Sequence, residues 1–262
     1  MIKVVVLCLC LATALALNSD GKNSRIVGGV DALAGEYPYI VSIQRLFLTI
    51  STHVCGGTIL NNFHVLTAAQ CFFGKSAGRH RVQAGKLNLN QFEPVEQTVN
   101  MLWFTMHPNY DGSPTPYDLA IVRLQSPFGF NSFIQPVVMP IPNSIPSGVV
   151  RFAGWGSTSM GLLPGTPTIL QQTRVSVFPN ENCTQMLYGV MPITPENVCL
   201  GPATGGIGAC NGDAGGPVVQ VTNGQHVLVG IITWQVFPCG IPGVPSISSR
   251  VSAFNDWIQE NS

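Results

Sequence analysis

The sequence has no run of eighteen or more apolar residues, so it offers no helix that would span a bilayer. Its longest apolar stretch, Val4 to Leu17, follows Lys3 and ends in Ala14-Leu15-Ala16, a small-residue cleavage pattern. Residues 1–16 therefore read as a secretory signal and 17–25 as a propeptide, leaving 26–262 as the folded chain. Lysine is scarce: beyond Arg25 only Lys75 and Lys86 occur. No CxxC pair is present and no histidine stands at zinc-like spacing from a cysteine, which argues against metal ligation, so neither metal nor cofactor is expected. Excess charge is missing as well. The twelve basic residues less Lys3, Lys22 and Arg25 leave nine, and the twelve acidic less Asp20 leave eleven, a net charge of about minus two. That balance argues against nucleic acid and acidic membranes as partners. No internal repeat or low-complexity tail appears, and a monomer is expected.

What the chain does have is an even set of cysteines. With Cys8 and Cys10 in the signal, Cys55, Cys71, Cys183, Cys199, Cys210 and Cys239 remain, and in an oxidising compartment three disulfides are the economical reading. Short runs rich in β-branched and aromatic residues recur along it: "YIVSIQ", "HVLTAA", "LAIVRL", "VVRFAGW", "QQTRVSV", "HVLVGIITW" and "SISSRV". Glycine and proline punctuate them, as in antiparallel barrels and sandwiches. A proline-rich passage from Pro127 to Pro146 divides the strands into two modules, about 26–130 and 131–262. Helical periodicity is expected only at the end, in "VSAFNDWIQE", with Ser252 as cap, Phe254, Trp257 and Ile258 on one face, and the second half as the docking surface.

Seven motifs follow in order: "SRIVGG" at 24–29, "HVCGGTIL" at 53–60, "LTAAQC" at 66–71, "YDLAIVRL" at 117–124, "AGWG" at 153–156, "NGDAGGP" at 211–217 and "ITWQ" at 232–235. Together they resemble the chymotrypsin-like serine proteases across essentially the whole mature chain, with a short propeptide and three disulfides closest to insect digestive members. The resemblance implies an all-β fold of two six-stranded antiparallel β-barrels with a C-terminal α-helix. It also implies a cleft between the barrels and the pairs Cys55–Cys71, Cys183–Cys199 and Cys210–Cys239.

In that family a histidine base, an orienting aspartate and a serine nucleophile carry acyl transfer. The resemblance places Asp118 at the aspartate, but Gln70 at the histidine and Ala214 at the serine. A methyl group cannot attack a carbonyl, and an amide holds no lone pair basic near neutral pH. In a well-measured serine protease, losing either residue costs about a million-fold in kcat. His53, beside Cys55, resembles a structural histidine of the family, and His64 reads as a strand residue; neither supplies a base. The oxyanion-hole amides are expected at Gly212 and Ala214. Gln70 is expected to donate to Asp118, with an ordered water as the alternative.

The same resemblance marks Arg25 as the cut site of a trypsin-like activating protease. Ile26 would supply the new amine and Asp213 the carboxylate that receives it. The specificity pocket is expected at Gly208, Thr233, Trp234 and Gln235, uncharged and narrowed by Gln235, its far wall being either Gly243 or Ser246. The sequence-level expectation is a secreted protein, of gut lumen or body fluid, that is not an enzyme. It would bind a protease, a protease inhibitor or a substrate-like peptide. A serine-type endopeptidase of apolar specificity working by another route, and a structural or storage protein, are the alternatives.

Overall fold

The computed structural model describes residues 28–48, 50–157 and 167–262. The signal and propeptide, with Arg25 and Ile26, lie outside them. Each of the seven runs quoted above forms a strand, because β-branched and aromatic residues pack well on a pleated surface, here often buried residue after residue. The first barrel is built from β2 (Ile40–Phe47), β3 (Ile50–Ile59), β4 (His64–Thr67), β5 (His80–Ala84), β6 (Gln97–Met106) and β7 (Ala120–Leu124). It closes in the order β2-β3-β4-β7-β6-β5, every pair antiparallel.

The second barrel uses β8 (Val149–Gly154), β9 (Gln171–Phe178), β10 (Asn197–Gly201), β11 (Pro217–Thr222), β12 (Gln225–Trp234) and β13 (Ser246–Arg250). Its order is β9-β10-β13-β12-β11-β8, and β8 pairs back onto β9 to close it. A short β1 (Val30–Asp31) adds to β9, with Val30 opposite Gln172. Closure removes the free edges that make open sheets sticky. Inward positions are filled by Val41, Ile43, Ile59, Val65 and Val122 in one barrel and Val150, Phe152, Leu200, Val218 and Ile232 in the other. Burying each such side chain is worth about 1.5–3 kcal/mol. All three disulfides form as the resemblance implies.

The proline-rich passage is ordered by bonds to both sides. Val137 N–H donates to Ile59 O at 3.0 Å, Leu228 N–H to Val138 O at 2.9 Å, and Asn143 N–H to Ser252 O at 2.8 Å. Two details of the helix content differ from expectation. A seven-residue helix, α1 (Asn180–Met186), precedes β10, where none was expected. It buries Cys183 and leads into buried Leu187, so its apolar signal is a single i, i+4 pair, too short to stand out.

The terminal helix α2 (Asn255–Asn261) is present, but Ser252 does not cap it. The Ser252 hydroxyl donates to Ser144 O at 2.5 Å and accepts from Arg250 at 2.9 Å. Nor does the helix dock on the second half. Phe254 and Trp257 meet His107, and Phe254 also meets Tyr117, on the segment that leads into β7 of the first barrel. The apolar face was readable; what covers it depends on where the chain returns.

Candidate active site

The barrels approach most closely at paired glycines. A Cβ on Gly56 of β3 would lie 2.8 Å from the Gly216 Cα, so only glycine lets the two backbones meet. Here the 211–217 loop is stitched to both barrels. Gly56 N–H donates to Ala214 O at 2.8 Å, Gly215 N–H to Ile232 O at 2.7 Å, and Ile232 N–H to Gly216 O at 2.9 Å. Gly215 has φ of 81°, and a Cβ there would stand 2.1 Å from the Thr67 hydroxyl and 2.4 Å from Gly56 O. Its place in the motif is thus set by sterics as well as by conformation.

Gln70 sits in a 3-10 turn, Ala69–Cys71, that ends β4 and is anchored to β3 by Cys55–Cys71. Its backbone N–H donates to Asp118 Oδ1 at 2.8 Å and its side-chain Nε2 to Asp118 Oδ2 at 2.7 Å. The same Nε2 also donates to Thr233 O on β12, so one amide spans the cleft from barrel to barrel. Between Gln70 and an ordered water, the geometry supplies the direct bond. Asp118 is buried, and burial pushes its carboxyl up to about 6, against the pull of donors from Gln70 and Ala69. Tyr110, which no motif marks, lies close by: burial first, then Asp118 and Asp111, drive its phenol upward.

Ala214 is 8% exposed and presents a methyl group between these elements. Among the described residues the Gly212 and Ala214 amides donate to no protein acceptor, whereas the amides of Asp213, Gly215 and Gly216 all do. Gly212 O accepts instead, from His53 Nε2 at 3.0 Å. A carbonyl only accepts, so Nε2 carries the proton and Nδ1 accepts from Ser42 Oγ at 2.8 Å. Burial lowers His53 to about 4, which keeps it neutral and structural. His64 lies on β4 beside Asn61 and Arg123, away from the loop.

Asp213 is fully buried, its carboxylate accepting from Gly156 N–H at 2.9 Å and Cys210 N–H at 2.8 Å. Burial pushes it up to about 7 in spite of both donors. Gly28 packs on the 206–207 segment, where its Cβ would strike Gly206 O at 2.3 Å.

At the expected pocket, a Cβ on Gly208 would lie 3.2 Å from Gly240 Cα and 3.3 Å from Ser246 Oγ. Of the two wall candidates, Ser246 is thus the one beside Gly208, and its hydroxyl accepts from Ala209 N–H at 2.9 Å. Thr233 is buried and donates to Ile247 O at 3.3 Å, not to Asp118; Trp234 packs beside Leu187 and Ile247. The Gln235 Oε1 is enclosed without a partner among the described residues.

Two closed barrels that meet at a glycine-rich loop, with a buried carboxylate behind it, define a double-barrel protein of the serine protease type. A family described as Trypsin matches residues 26–258. Trypsin-1 of Astacus astacus is 34% identical over 239 residues, covering 90% of this chain and 99% of that protein. Serine proteinase stubble of Drosophila melanogaster is 34% identical over 250 residues, 91% of this chain but 31% of that protein. The chain belongs to the trypsin family. This corrects the expectation that it is not an enzyme, since the family and both relatives are named for proteolysis. Gln70 and Ala214 stand where the resemblance expects the histidine and the serine. The three disulfides and the closed barrels form with these two residues in place.

Proposed function

We propose that this trypsin-family chain is an extracellular protein whose cleft takes an extended peptide segment, its carbonyl held by the Gly212 and Ala214 amides. What carries the reading is the availability of those two amides in a loop whose other amides are tied. Pocket residues Gly208 and Ser246 bear no charge, which favours small or apolar side chains in the bound segment. A protease, a protease inhibitor or a substrate-like peptide offers such a segment, added beside Thr233 to Gln235 as an extra strand. Three disulfides are in keeping with secretion. Cutting after Arg25 by a trypsin-like protease would bring the Ile26 amine to Asp213 and order the loop.

A second reading, serine-type endopeptidase of apolar specificity, is favoured by the names of both relatives. It needs a nucleophile and a base from outside positions 214 and 70. One experiment separates the readings: trypsin-cleaved protein is assayed for hydrolysis of apolar peptides and for their binding, beside Gln70→His/Ala214→Ser. Binding of the peptides by the parent, whether or not it also cuts them, supports the first reading. Hydrolysis by the parent, after trypsin carry-over is removed, establishes the second. A parent that neither binds nor cuts overturns both.

A further inference from the structure

The β2–β3 hairpin ends in large apolar side chains that nothing in the fold requires. Phe47 and Ile50 face each other across the strands, and each is 66% exposed. Leu48 beside them is 90% exposed and holds a left-handed backbone, φ 53°, that glycine or asparagine adopts at less cost. Neither core packing nor turn chemistry explains a leucine there. A protruding, strained apolar tip is a feature to be explained by a contact outside the molecule.

Charge names the contact. Between Glu36 and Glu93 the sequence holds no acidic residue, yet five of the nine basic residues beyond Arg25 fall there. One of these, Lys86, is buried with Glu96. The other four flank the base of the tip, Arg81 on the opposite face of the sheet from Arg45. Arg45 is exposed on β2, two positions before Phe47 and opposite His80. Arg81 donates to Gln44 and Ser51 on the hairpin itself. Lys75 and Arg79 are exposed just before β5, where burial first, and the charges of Lys75 and Arg45 after it, hold His80 below the usual imidazole range. The small net charge that argues against acidic membranes averages over the whole surface and hides this segregation.

We propose that the hairpin tip is a membrane-docking element: Phe47, Leu48 and Ile50 enter the interfacial layer of an anionic lipid surface while Arg45, Lys75 and Arg79 meet its headgroups. Apolar insertion plus a basic collar is the two-signal arrangement that peripheral binding requires. The inference is independent of what the cleft does.

The test is sedimentation of the purified full chain with phosphatidylcholine vesicles, with and without phosphatidylserine. Expected is binding to the anionic vesicles only, released by high salt. Arg45→Gln and Lys75→Gln should each weaken it about fivefold. The tip variant Phe47→Ser/Leu48→Asn should weaken it about tenfold or more, with an unchanged circular dichroism spectrum, because Asn suits the left-handed position. Equal binding to both vesicle types, or a tip variant that binds as the parent does, overturns the proposal. So does a parent that ignores vesicles yet is retained by an immobilised acidic peptide, which would assign the surface to a protein partner.

Discussion

Gln70→Ala removes the one side chain that spans the cleft. In the parent its amide donates to the buried Asp118 carboxylate at 2.7 Å and to Thr233 O. Asp118 keeps two other donors, the backbone amides of Gln70 and Ala69. The loss is therefore that of one charge-assisted bond, about 1.5–3 kcal/mol, with the carboxylate only partly orphaned. For a chain of this size that is a fall in Tm of roughly 3 to 12 °C, read by thermal melting followed by circular dichroism.

The pH dependence makes the test specific. Burial holds the Asp118 carboxyl at about 6, and the Gln70 bond is among the forces pulling it down from a still higher value. Without it the folded-state pKa rises further. The bond stabilises the ionised form, so the penalty is full above the variant's raised pKa and shrinks as pH falls from there to about 6, below which the carboxyl is protonated in both chains. A penalty that does not change with pH, or one below about 0.5 kcal/mol, refutes the assignment of Gln70 as the partner of Asp118.

Three further outcomes follow from the same coordinates. Asp213, raised from 3.8 to about 7, keeps in the folded chain a proton that the unfolded chain releases; its contribution is present below pH 3.8 and lost as pH rises through 7. In urea titrations of the uncleaved chain the stability of the parent relative to Asp213→Asn should therefore decline over that window, and His53, common to both, cancels; a flat difference refutes it. Lys86→Met strands Glu96 and should cost about 3–5 kcal/mol, much of it recovered in Lys86→Met/Glu96→Leu; a double variant no better than the single shows that the pair is not the cause. Gly215→Ala collides with the Thr67 hydroxyl at a left-handed position and should cost about 3 kcal/mol or more, whereas Gly224→Ala, with φ of 78° and open space, should cost about 1 kcal/mol; equal melting temperatures for the two remove steric closeness as the reason for glycine at 215.

Much of this fold is legible because strand patterning is a local property. Each of the seven quoted runs is rich enough in β-branched and aromatic residues, and sharply enough bounded by glycine and proline, to declare itself, and the seven ordered motifs give the barrel pair, the disulfides and the Gln70, Asp118 and Ala214 positions together. Helix α1 is not legible, since seven residues with one buried i, i+4 pair give less signal than the surrounding loop chemistry. Ser252 looks like a cap because serine before an apolar periodic run usually is one; tertiary structure offered its hydroxyl the Ser144 carbonyl instead.

The remainder is illegible for a different reason: it concerns which partner a side chain finds across a gap. Nothing in "TAAQC" says that Gln70 will reach both Asp118, 48 residues away, and Thr233, 163 residues away. Nothing in "GKLNLN" says that Lys86 will turn inward to Glu96. The charge count fails in the same way. Summed over the chain it is nearly neutral, and the sum cannot show that the first barrel carries most of the cations on one hairpin and its neighbours. Composition constrains what a whole surface does on average, while binding is decided by where the chain crossings bring like residues together. The two substitutions at 70 and 214 belong to this second kind. Their identities are plain in the sequence, but their consequence depends on what the neighbouring backbone can still hold, and that was visible only once Gly212 and Ala214 were seen to have their amides free of the loop's own bonds.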